Sequence, residues 1–211
     1  MIEHSTPTLR TERLECIRND MQLFSGLDFQ LAVGQLLQVV GPNGSGKTSL
    51  LRIICGLALP HDGTVYWNDK DIQQFNGEFL REISYVGYQN GIKDELSPLE
   101  NLNIAQVLKV ARDEISPTQV LKQFGLQGYE DIPVRKLSSG QRRRVALSRL
   151  LLIKARLWVL DEPFTALDDD GKQIIKNMIE THVNKGGMLI LASHEPIEFS
   201  NCKTNKIELG Q

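Results

Sequence analysis

The sequence predicts an α/β fold built around a parallel sheet, and three observations predict it. Short apolar runs at residues 36–40, 157–160 and 188–192 read as strands buried on both faces. Helical spacing accompanies them: Leu50, Leu51, Ile54 and Leu57 follow the first run, and Ile174, Ile175, Met178, Ile179 and Val183 precede the last. Glycines mark the joints, Gly41 after the first run and Gly186-Gly187 before the last. Strands that alternate with helices lie parallel, because each helix carries the chain back across a sheet face.

Along the chain, the first 35 residues read as short strands, with alternation at Leu27, Phe29 and Leu31. Pro60 to Gly63 reads as a turn, residues 64–67 as a strand and residues 83–87 as the next one. The middle differs. Ser97-Pro98-Leu99-Glu100 is a capping box with proline at the first helical position, and Ser116-Pro117-Thr118-Gln119 repeats the device. Gly125 can close the second of these helices. Residues from about 90 to 150 therefore read as mainly helical. Residues 168–185 form an amphipathic helix closed by Gly186-Gly187.

Composition bounds the function. The chain has 211 residues, 41% of them hydrophobic, which suits one domain with a sizeable core and excludes disorder. A formal net charge of −2 gives no electrostatic footprint for nucleic acid. Arg142, Arg143 and Arg144 form the one dense basic run and read as a solvated helix face. Cys16, Cys55 and Cys202 lie far apart without a C-x-x-C pair, which fits a reducing compartment. The histidines His4, His61, His182 and His194 show no metal-ligand spacing. The N-terminus lacks the apolar core of a secretory signal. No apolar run approaches the ~20 residues that span a bilayer.

Gly41-Pro42-Asn43-Gly44-Ser45-Gly46-Lys47-Thr48 matches the phosphate-loop pattern G-x-x-x-x-G-K-[ST] in full. It follows an apolar strand and opens a helix, with Ser49 beside Thr48 in the first turn. Such a loop aims backbone N–H groups at phosphate oxygens, and the helix adds the positive end of its dipole. Lys47 can reach the β- and γ-phosphates, and Thr48 can ligate Mg²⁺. Residues 157–160 then carry Asp161 to the carboxyl edge of the sheet, where it can hold the Mg²⁺ shell. Glu162, one residue on, is placed to polarise a water that attacks the γ-phosphate.

Leu137-Ser138-Ser139-Gly140-Gln141 resembles the LSGGQ signature of the ABC ATPases. Gln89 matches the glutamine of that family's Q-loop at a strand end, Ala166-Leu167-Asp168 its D-loop, and His194 its switch histidine. The resemblance covers essentially the whole chain. It implies a P-loop NTPase with a RecA-like parallel core sheet, an antiparallel N-terminal β region and a helical subdomain. On this chain the core would span residues 1–89 and 151–211, and the subdomain 90–150. It further implies ATP and Mg²⁺ as cofactors, Gln89 as a second Mg²⁺ ligand beside Thr48, and catalytic roles for Glu162, His194 and Gln89. Two copies would sandwich ATP head to tail, with Ser138, Gly140 and Gln141 of one facing the phosphate loop of the other.

Two departures stand out. Ser139 replaces the first glycine of the signature pair, and Gly140 still permits close approach. The family stacks an aromatic on adenine from an early strand, and counting back from the phosphate loop reaches Arg18, with no aromatic between Leu9 and Leu23. An arginine plane can stack on a base. A solvated strand arginine stands open beside that reading.

Four stretches, GPNGSGKTSLLRIICGL, GIKDELSPLENL, EDIPVRKLSSGQRRRVALSRL and LWVLDEPFTALD, are similar to one branch of this family, the CcmA ATPases of haem export in c-type cytochrome maturation. That similarity implies integral membrane partners, CcmB and CcmC, which supply the membrane path. It also implies a place on the cytoplasmic face of the bacterial inner membrane and a role in releasing haem-loaded chaperone. No residue here reads as a haem ligand. A GTPase is disfavoured, because Asn184-Lys185-Gly186-Gly187 lacks the aspartate of N-K-x-D. A DNA- or ribosome-directed ABC protein would carry two cassettes or long coiled-coil insertions. Another small ABC exporter or importer ATPase is the remaining alternative.

Overall fold

A computed structural model describes residues 8–74, 77–108, 112 and 115–210. It contains two sheets and the predicted α/β layering. Five parallel strands form the larger sheet in the order β6 (Ile83–Val86), β7 (Leu157–Asp161), β8 (Met188–Ser193), β3 (Gln35–Val40), β9 (Lys203–Glu208). The smaller sheet is antiparallel, in the order β2 (Met21–Ala32), β1 (Thr8–Arg18), β4 (Asp62–Trp67), β5 (Lys70–Asp71).

The period-two rule explains the layers. Leu157, Val159, Met188, Ile190, Leu37 and Val39 face one core, shared with α1 (Lys47–Ile54) and the antiparallel sheet. Trp158, Leu160, Leu189, Leu191 and Leu36 face the other. There they meet α5 (Ser139–Leu152) and α6 (Asp169–Asn184), with α3 (Pro98–Leu108) and α4 (Pro117–Gln123) completing the helical layer. The short α2 (Glu78–Glu82) leads into β6.

The helix starts obey the capping chemistry. Ser97 and Glu100 exchange side chain-to-backbone hydrogen bonds at the head of α3. Ser116 and Gln119 do the same for α4, and Asp168 accepts from Gly171 N at the head of α6. Gly125 follows the end of α4 with φ +64°.

Three expectations are corrected. The N-terminal region holds two long strands of 11 and 12 residues rather than short ones. A bulge at Arg13, φ +48°, shifts the register between Thr11 and Leu14, so the inward positions 9, 11, 14 and 16 break strict alternation. Residues 1–7 of that region lie outside the described residues. The strand expected at 83–87 ends at Val86, so Gln89 lies in the bend beyond it rather than at a strand end. The arginine run is not a solvated face, because Arg143 is buried.

Candidate functional site

β3 delivers the chain into the phosphate loop, and α1 begins at Lys47. Gly46 caps that helix with φ +98°, where a Cβ would also lie 3.0 Å from Leu23 Cβ, so only glycine closes this turn. Lys47 is buried and its ammonium donates to the carbonyls of Gly41 (2.6 Å) and Pro42 (3.1 Å). Pro42, Asn43 and Gly44 are exposed at the mouth of the loop, while Ser45 is buried beneath it. The first turn of α1 presents Thr48 and Ser49 at the positive end of the helix dipole.

β7 runs buried to its last residue, Asp161, which is 1% exposed. Thr48 Oγ1 donates to Asp161 Oδ2 at 2.7 Å. Glu162 leaves the strand with φ +49°, a strained value for a residue with a side chain. Its backbone N–H still donates to Ala192 O on β8, at 3.0 Å. Glu162 Oε1 is buried and accepts no directed hydrogen bond. Two nitrogens approach it, His194 Nε2 at 3.3 Å and the Lys47 ammonium at 3.7 Å. Burial holds the Glu162 carboxyl above its ordinary value, against the opposing pull of His194 and Lys47. A carboxyl made more basic by burial has the chemistry that a general base needs.

These groups share one cleft of about 450 Å³, lined by residues 42–44 and 46–49 with Arg18, Asp161, Glu162 and His194. Arg18 reaches it from the tip of the β1–β2 hairpin, whose two-residue turn Asn19-Asp20 has φ of +49° and +60°. Leu23 and Tyr88 also line the cleft and were missed in the sequence. Tyr88 precedes Gln89, and an exposed aromatic beside a motif was the signal available. A larger cavity of about 930 Å³ lies against Trp158, His182 and Arg156, but none of the motif residues lines it.

Gln89 is exposed and is not among the residues lining the cleft. Ser138, Gly140 and Gln141 are absent from it too. Ser138 Oγ accepts from Gln141 N at 3.2 Å, and Gln141 Oε1 accepts from Ser138 N at 2.9 Å, so both residues cap α5. A Cβ at Gly140 would lie 2.7 Å from the carbonyl oxygen of Ala166. Gly140 thus has no room for a side chain, because its own chain's Ala166 lies against it.

Arg143, three residues on, is 4% exposed and spends every donor. Its Nη2 bonds the carbonyls of Asp161 (2.6 Å) and Glu162 (3.1 Å), and Nε that of Pro163 (3.4 Å). Nη1 bonds Gly87 O (2.8 Å) and Asn90 Oδ1 (3.1 Å). The Gly87 carbonyl thus turns to α5 just where β6 has ended.

The donor set fits a metal–nucleotide substrate. A hydroxyl and a carboxylate meet as hard oxygen ligands, and no cluster of three or more His, Cys, Asp or Glu suited to a metal occurs among the described residues. Mg²⁺ is characteristically held by one or two such groups plus substrate phosphates.

Comparison with known proteins agrees with this geometry. Residues 24–165 match the ABC transporter family. The chain is 46% identical over 203 residues to the cytochrome c biogenesis ATP-binding export protein CcmA of Nitrosomonas europaea, covering 96% of this chain and 95% of that one. It is 48% identical to the CcmA protein of Methylococcus capsulatus, covering 95% and 98%. Among solved structures, a putative ABC transporter ATP-binding protein from Pyrococcus furiosus superposes with a TM-score of 0.81 at 23% identity, over 96% and 97% of the two chains. The ATP-binding cassette MJ0796, solved as a dimer in a post-hydrolysis state with ADP and Pi, superposes with a TM-score of 0.77 at 22% identity, over 89% and 88%. Motifs, fold and similarity coincide: the chain belongs to the ABC transporter family of ATPases, in the group of cytochrome c biogenesis ATP-binding export proteins.

Proposed function

We propose that this chain hydrolyses ATP to drive haem export for c-type cytochrome maturation, with release of haem-loaded chaperone as the step it powers. The observation that carries this reading is the 45–48% identity, along nearly the whole chain, to ATP-binding export proteins of cytochrome c biogenesis. The convergence of Lys47, Thr48, Asp161, Glu162 and His194 on one cleft supports the chemistry.

In this reading the phosphate loop, residues 41–49, cradles the triphosphate, and the Lys47 ammonium turns from the loop carbonyls to the β- and γ-phosphates. Thr48 and Asp161 would hold Mg²⁺, which would supply charge neutralisation at the triphosphate. Glu162 orients and deprotonates the attacking water, and His194 steadies the Glu162 carboxylate and the γ-phosphate. Gln89 would add a further oxygen ligand to that ion. Arg18 stacks on adenine.

A second copy completes each site head to tail, offering Ser138, Gly140 and Gln141. The exposure of Ser138 and Ser139 supports this, and MJ0796 gives the dimeric precedent at the level of fold. Residues 90–150 act as a helical subdomain beside the core of residues 1–89 and 151–211. No helix among the described residues is long and apolar enough to cross a membrane. In this reading partner subunits of the CcmB and CcmC kind supply the membrane path, and the chain docks on them at the cytoplasmic face of the inner membrane. Affinity purification of the tagged chain from detergent-solubilised membranes tests this assembly. Recovery of CcmB and CcmC is expected, and their absence from a complex that still hydrolyses ATP rejects it.

A further inference from the structure

Among the described residues, the nucleotide chemistry leaves the buried cation Arg143 without a role. Arg143 sits on α5, the helix that the signature opens, and its guanidinium points into the protein rather than at the nucleotide cleft. A guanidinium has five N–H donors, and here all five meet oxygen acceptors: the carbonyls of Gly87, Asp161, Glu162 and Pro163, and the Asn90 side chain. Four of the five are backbone groups, so the fork reads the course of the main chain and not a side-chain charge. Burial lowers the Arg143 pKa, and the nearby Asp161 and Glu162 charges act to restore it.

Two of those segments carry the hydrolytic machinery. Residues 161–163 include Glu162 in its positive-φ conformation. Such a backbone persists only when its surroundings over-determine it. Here the Glu162 N–H is held by Ala192 O, and its carbonyl by Arg143 Nη2. Without the second hold, the residue is free to relax to an ordinary β or α conformation and swing its carboxylate away from Lys47 and His194. Residues 87–90 include Gln89. Arg149, six residues along α5, grips the same bend through Asn90 O and Gly91 O, both at 2.7 Å.

We propose that Arg143 is a positioning residue for ATP hydrolysis. Through the backbone of residues 161–163 it fixes the Glu162 carboxylate at its working position, and through Gly87 and Asn90 it ties that position to the bend carrying Gln89. A displacement of that bend is thereby transmitted to the hydrolytic carboxylate without crossing the nucleotide. The inference rests on the reading of Glu162 as the general base.

The test is a double-mutant cycle on the full-length chain, measuring kcat, KM for ATP and the affinity of nucleotide binding. Arg143→Gln should lower kcat about a hundredfold, the scale of an ångström misplacement of a catalytic group. KM and nucleotide affinity should change by less than about threefold, since no substrate contact is lost. Arg143→Lys keeps the charge but not the fork, and should lose about tenfold in kcat. In a Glu162→Gln background, where the residual cleavage of bound ATP is followed in single-turnover measurements, Arg143→Gln should cost nothing further, because it acts only through that carboxylate. An equal loss in both backgrounds, or a folded Arg143→Gln variant with wild-type kcat, overturns the proposal. Should Arg143→Gln fail to fold by circular dichroism, the Lys variant in the same cycle decides. Undiminished turnover by Glu162→Gln alone is a separate failure, that of the general-base reading.

Discussion

Thr48 Oγ1 and Asp161 Oδ2 lie 2.7 Å apart, although 113 residues separate them in the chain. One belongs to the first turn of α1, the other ends β7, and the parallel sheet brings both to its carboxyl edge. This is where an open α/β sheet places its ligands. A hydroxyl and a carboxylate oxygen thus meet at that edge.

Thr48→Ala should therefore raise the Mg²⁺ concentration needed for half-maximal ATP hydrolysis by about tenfold or more. Lys47→Ala should abolish productive ATP binding, because it removes the only buried ammonium in the loop. Titration calorimetry with ATP at several Mg²⁺ concentrations separates the two. A Thr48→Ala variant with an unchanged Mg²⁺ requirement would remove that hydroxyl from the metal shell.

Glu162→Gln should keep ATP binding and stop turnover, so that ATP-bound dimers accumulate and run early in gel filtration. It should also change stability with a definite sign. Burial raises the folded pKa of Glu162, so through that window the native state binds more protons than the unfolded state. Stability is then lost as pH rises through the folded pKa. The glutamine removes that loss. The variant should melt above wild type at mildly alkaline pH, and the advantage should vanish in acid below the ordinary carboxylate range. Parallel melting curves in pH would defeat this account of the carboxyl.

The signature residues act on a partner's nucleotide if the head-to-tail reading holds. Ser138→Ala should impair hydrolysis while leaving ATP binding to a single subunit unchanged. It also removes a helix cap, at about 1 kcal/mol of stability. Gly140 is a poorer probe than its place in the motif suggests. Any side chain there meets the Ala166 carbonyl, so Gly140→Asp would disturb residues 162–168 of its own chain. Loss of single-subunit binding by Ser138→Ala would refute the composite site.

Arg18 is exposed at the hairpin tip and lines the cleft, as a base-stacking group must. Arg18→Ala should weaken ATP binding by roughly 0.5–2 kcal/mol, and Arg18→Tyr should restore it. Unchanged affinity in the alanine variant would make Arg18 a solvated strand residue.

The phosphate loop, the acidic strand end and the capped helices were legible because each depends on short-range chemistry. Eight consecutive residues specify the loop, and Ser97 and Ser116 satisfy N–H groups three residues away. What escaped depends on distant chain. The Arg13 bulge is visible only against its partner β2, and because of it the run from Leu9 to Cys16 departs from strict alternation. Arg143 looked solvated because helical spacing does not say what covers a face. Its acceptors are mostly backbone carbonyls, which no side-chain pattern records. At Gly140 a contact that excludes a side chain lies 26 residues on, at Ala166, where no motif spacing points.

The most direct test of the central claim is haem staining of c-type cytochromes in cells whose only copy of this protein is Glu162→Gln. Assembly with the membrane partners should persist, because the substitution leaves binding intact. Covalent haem attachment should fail, with haem held on its periplasmic chaperone, while growth on fermentable carbon continues. Normal haem-stained cytochrome c in that strain would contradict a role in haem export and leave only the ABC ATPase.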